Sequence, residues 1–98
     1  MIHIQVVPQA DEDLKGMLRA AITEGRIKSF EIARVRGGLR VIHKRYNGRV
    51  DLDQKNGILT AKLSCHNRDD EWQLVQAFVG RLIYHFRDHI VTLDIQPK

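Results

Sequence analysis

His85 and His89 stand four residues apart in a stretch with helical periodicity, a spacing that can turn two imidazoles toward one metal ion. Two ligands leave a tetrahedral site incomplete. Cys65 and His66 are the other donors in reach along the chain, yet about twenty helical residues at 1.5 Å each put them roughly 30 Å away. The four side chains cannot share a metal, so none is assigned. Hydrogen bonds to the last carbonyls and the dipole at a helix C-terminus account better for His85 and His89, which remain weak metal candidates. Cys65 continues the inward parity of Leu59, Ala61 and Leu63, as a small core thiol does. Ser29, Ser64, Thr23, Thr60 and Thr92 lie outside any nucleophile-elbow pattern. The glycine pairs all join strand to strand, so none forms a phosphate loop at a helix N-terminus. No catalytic residue and no cofactor follows from these patterns.

A second set of residues concerns anions. The segment from Arg34 to Val50 holds six Lys or Arg and no acid. Within it Arg34, Arg36 and Arg40 gather around Gly37-Gly38, and these three together with Arg49 are the candidate phosphate contacts. His43, with a more distant His3, is the candidate for a pocket between sheet and helices. The acidic triplets Asp11-Glu12-Asp13 and Asp69-Asp70-Glu71 each precede a helical apolar pattern. Carboxylates in a first turn complement the helix dipole and its free N–H groups, so the triplets are read as structural.

The elements that must position these residues can be counted out. Ile2, Ile4 and Val6 alternate with polar residues, predicting a half-buried strand that Pro8 ends. Leu14, Met17, Leu18, Ala21 and Ile22 form one helical stripe, with Asp11 as the expected N-cap and Gly25 as the closing glycine. A second helix is expected from about Asn67 to about Asp88, its core line running through Trp72, Val75, Val79, Leu82 and Phe86. Leu74, Phe78 and Ile83 widen that face beyond what one sheet covers, which suggests a second contact surface. Val91, Leu93 and Ile95 then alternate as a last strand.

Between the helices Gly37-Gly38, Asn47-Gly48 and Asn56-Gly57 each suit a two-residue hairpin turn. Counting back from those tips places Phe30, Arg45, Val50 and Leu63 in one inward row and Ile32, His43, Leu52 and Ala61 in the next. Arg45 is expected to lay its stem along the core edge. The outward face then carries Glu31, Lys44, Asp51 and Lys62, with charges alternating across four strands, an arrangement that favours the register. Under this alignment most of the basic run is neutralised and only the first hairpin tip stays cationic.

The 98 residues, 43% hydrophobic and 29% charged with a net charge of +4, fit one α+β domain over residues 1–98. A two-layer sandwich is expected, in the order β-α-β-β-β-β-α-β, with a mainly antiparallel sheet in the strand order 6-1-5-4-3-2 and two helices on one face. The topology resembles the half-unit of TATA-binding-protein-like folds and a ferredoxin-like sandwich enlarged by a hairpin, a resemblance of arrangement that carries no function. Exposed Glu31, Asp51 and Asp53 oppose use of the open face on DNA. No apolar run suits a membrane span, no secretory signal is visible and the one cysteine forms no internal bridge, so a cytoplasmic protein is expected. The reading favours a non-catalytic interaction or regulatory module that self-associates as a homo-oligomer or takes a protein partner. A nucleic-acid-binding module gripping phosphates through the basic tip is the alternative, and a small-ligand-binding protein or enzyme using His43 is a third.

Overall fold

The computed structural model describes residues 1–97. The chain forms β1 (Ile2–Pro8), α1 (Leu14–Thr23), β2 (Phe30–Ala33), β3 (Leu39–His43), β4 (Gly48–Lys55), β5 (Ile58–Cys65), α2 (Arg68–Phe86) and β6 (Ile90–Pro97). Among the described residues the six strands make one antiparallel sheet in the order β2-β3-β4-β5-β1-β6. This is the expected α+β fold, its strand order read from the opposite edge. Both helices cover one face, where Leu14, Leu18 and Ala21 of α1 and Leu74, Phe78 and Leu82 of α2 join Ile4, Val41, Val50 and Leu63 in the core. No helix among the described residues is long and apolar enough to cross a membrane.

Helix ends follow from local hydrogen bonding. Asp13, rather than Asp11, caps α1, its carboxylate accepting the Gly16 N–H at 3.0 Å. Asp11 instead belongs to a 3₁₀ turn with a left-handed φ of 56°. The expected closing glycine is in place: Gly25 N–H donates to the Ile22 carbonyl and Arg26 N–H to the Ala21 carbonyl, the paired bonds of a Schellman ending. Asn67 caps α2 by accepting the Asp69 N–H at 3.0 Å, and the Asp69-Asp70-Glu71 triplet occupies its first turn.

The meander departs from the counted register in two of three hairpins. At Asn56-Gly57 both residues have positive φ, Lys55 faces Ile58, and Asp51 faces Lys62, as expected. In the first hairpin Phe30 faces His43 instead of Arg45, a displacement of two residues. In the second, Asp51 faces Arg40 instead of Lys44, a displacement of four. Asn47-Gly48 is therefore not a tight turn. Gly48 is the first residue of β4, where a Cβ would meet Cys65 Sγ and would sit 2.6 Å from the Ser64 carbonyl oxygen. Its glycine answers a close backbone approach, not a turn. Even displacements keep every side chain on its face, so Val41, Val50 and Leu52 are buried while Arg49, Asp51 and Lys62 point outward. Arg45, expected inside β3, lies exposed in the Lys44–Asn47 connection.

Candidate functional site on the flanks of the second helix

α2 is wider than its seat. At about 100° per residue the buried line runs through Leu74, Val75, Phe78, Leu82 and Phe86. Trp72, Val79 and Ile83, expected on or beside the core line, fall together on one flank, with Trp72 52% and Ile83 50% exposed. The sheet continues beyond that flank to β6, its edge strand. Trp72, Val75, Val79, Ile83 and Ile95 thus line an open groove of about 580 Å³ between α2 and β6. Val91, 55% exposed, extends the apolar surface along β6.

The basic hairpin tip is smaller than expected. Arg40 Nε and Nη2 donate to the two carboxylate oxygens of Asp51 at 2.6 and 3.3 Å, and Arg49 Nε lies 3.6 Å from the same carboxylate. The Asp51 hydrogen bond raises the Arg40 pKa. Only Arg34 and Arg36, both exposed, remain at the tip without an acid facing them in the register. Lys44 stays near Glu31 at 3.9 Å although it has left the row with Asp51.

His43 and His3 do not come together. His3 points outward between Lys62 and Gln96, opposite in parity to buried Ile2 and Ile4. His43 has inward parity and closes the helix side of β3, its ring edge-on to Phe30 at 4.8 Å and tilted against Tyr46 at 4.8 Å. Its Nδ1 accepts the Arg45 backbone N–H at 3.0 Å, which assigns the neutral ring's proton to Nε2. Burial, then the charges of Arg45 and Arg81, push its pKa down.

His85 and His89 also separate. α2 ends at Phe86 and a 3₁₀ turn over Arg87–His89 breaks the i, i+4 relation. His89 Nδ1 lies 2.6 Å from Glu12 Oε2, while the Glu12 carbonyl accepts the Gln54 side-chain amide at 2.8 Å. His85 turns toward the other flank of α2, where burial first and then Arg81 and Arg26 lower its pKa. Among the described residues no three His, Cys, Asp or Glu side chains gather around a common point. Cys65 is half-buried, and burial with the charges of Asp70 and Glu71 raises its pKa, which holds the sulfur as a thiol rather than a nucleophilic thiolate.

Sequence reasoning laid Arg45 along the core edge of a strand and left Arg81 unread, because a lone arginine on a helix carries no pattern. The i, i+4 pairing of Arg81 with His85 was the available signal. The chain matches no protein-family model, no curated protein and no solved structure.

Proposed function

We propose that the protein is a small non-catalytic interaction module that self-associates through β6 and the apolar flank of α2. The carrying observation is one continuous surface: the Trp72–Val79–Ile83 groove opens directly onto the eight-residue edge strand β6. An edge strand offers a row of unpaired N–H and C=O groups, and long edges are normally blunted by Lys, Pro or a bulge. β6 pairs with β1 on one side only; its single shift in register lies near its start, and Pro97 is at its far end. The opposite edge, β2, has only four residues.

A second copy fits this surface through a twofold axis, since antiparallel pairing of a strand with itself is isologous. Facing residues share a side of the sheet, so the axis must pass a self-paired residue. Centring on Asp94 would oppose two carboxylates. Centring on Leu93 sets Val91 against Ile95 of the second copy and Thr92 against its Asp94, keeps both helix layers on one face, and brings the two Trp72–Ile83 flanks toward each other.

The expected outcome is a dimer by sedimentation in the micromolar range, reduced to monomer by Ile83→Glu or Ile95→Lys with the far-UV circular dichroism unchanged. A parent protein that stays monomeric across that range sinks the reading.

A further inference from the structure

The second flank of α2 is cationic where the first is apolar. Gln73, Ala77, Arg81 and His85 follow one another at i+4 and lie on the side of α2 away from Trp72 and Ile83. Tyr46 donates its hydroxyl to Gln73 Oε1 at 3.2 Å, so the Lys44–Asn47 connection lies along this stripe. Phe30 ties the two layers together, its ring 4.8 Å from His43 and 6.1 Å from Phe78. Arg45 then stands with its guanidinium 5.9 Å from the Tyr46 ring centre, and Arg81 follows Ala77 and Phe78 by one helical turn, its charge lowering the pKa of both His43 and His85. Arg26 comes to the same end from the connection after α1, already neutralised by Glu24 at 2.6 Å. Among the described residues, neither Arg45 nor Arg81 has a carboxylate at ion-pair distance. Ser29 Oγ and His85 Nε2 are each shielded from solvent without a hydrogen-bond partner among the described residues.

We propose that this basic shelf, built by the Lys44–Asn47 connection and the Arg81–His85 stripe of α2, binds a dianionic phosphate group held between Arg45 and Arg81. Two guanidinium forks from different elements supply more N–H donors than one carboxylate can accept, whereas a phosphate has three terminal oxygens to share between them. His43 contributes an Nε2–H because its Nδ1 is occupied by the Arg45 backbone. The Tyr46 ring beside Arg45 gives an ester substituent an apolar wall. The site is separate from the β6 face, so it stands whether or not the protein dimerises.

Histidine resonances report on the shelf directly. Above neutral pH and at low ionic strength, inorganic phosphate or phenyl phosphate should shift the His43 and His85 imidazole signals saturably in NMR titrations of the intact protein, with sodium chloride at matched ionic strength as the control. Tighter binding of phenyl phosphate assigns the shelf to a phosphate monoester, and equal binding assigns it to the free ion. Arg45→Gln and Arg81→Gln should each weaken binding by about tenfold or more, while Arg34→Gln with Arg36→Gln leaves it unchanged. Affinity measured by calorimetry on the same variants, each checked for native circular dichroism, covers the case in which a substitution moves the histidine signals by itself. No saturable shift with either anion, equal affinity in the Arg45→Gln/Arg81→Gln double variant, or saturation only by an oligonucleotide lacking terminal phosphates overturns the assignment.

Discussion

At Gly48 one missing carbon decides where a strand begins. A Cβ there would press on the Ser64 carbonyl at 2.6 Å and on Cys65 Sγ, and strand backbone cannot step aside as a flexible side chain does. Gly48→Ala should therefore destabilise the fold by about 1–3 kcal/mol, the usual cost of overpacking, as read by urea unfolding. Asn47→Ala should stay within about 0.5 kcal/mol, because Asn47 is exposed and has no left-handed φ to protect. Equal losses in the two variants would restore a tight turn at this pair. Asn-Gly was legible as a punctuation mark but not as to kind. The Asn56-Gly57 pair forms the two-residue turn its letters suggest, while Asn47-Gly48 has the same letters and belongs to a close approach that only the neighbouring strand reveals. The arginines show the same limit. Arg40 looked free because its partner Asp51 is eleven residues away, across a hairpin whose register is displaced.

Register is the property of the elements, and it can be tested without a structure. Cross-strand neighbours have Cα atoms about 4.5–5.5 Å apart, within disulfide reach, whereas a four-residue displacement moves a residue by roughly 13 Å along the strand. In a Cys65→Ala background, Arg40→Cys with Asp51→Cys should oxidise to an intramolecular bridge, and Lys44→Cys with Asp51→Cys should remain reduced under the same conditions, as scored by thiol labelling. The opposite pattern would reinstate the register counted from Asn47-Gly48. Elements themselves were readable because hydrophobic period is local: β1, α1, the four meander strands, α2 and β6 each stand close to where alternation or i, i+4 spacing puts them. Inside and outside were readable too, since even displacements leave parity intact. The apolar arc of α2 announced a face wider than the sheet needs. Which edge of that arc stays open follows from the position of α2 over the sheet, and Trp72 moved from core to flank for that reason.

On the scale of the whole molecule, α2 divides two environments, an apolar groove leading to β6 and a basic shelf leading to β3, and the second makes stability depend on pH. His43 and His85 both have pKa values below the ordinary histidine range, through burial first and then through Arg45 and Arg81 for His43 and Arg81 and Arg26 for His85. Protonation of His43 on Nδ1 also removes the acceptor of the Arg45 N–H. The unfolded chain, with imidazoles near their free value of about 6.5, binds protons before the folded chain does, so unfolding free energy rises with pH in that interval. Both contributions are complete above about pH 6.5 and are lost progressively as acidification passes from there to the lower folded values. Urea unfolding measured at closely spaced pH steps should show this decline, and His43→Asn with His85→Gln, which retain polar acceptors but cannot titrate, should flatten it. A parent protein with no slope below about pH 6.5 would mean that the two rings are solvated and unaffected by the arginines. That result would bear on the two rings alone, because the proposed phosphate shelf is carried by the Arg45 and Arg81 guanidinium groups and the proposed dimer by β6.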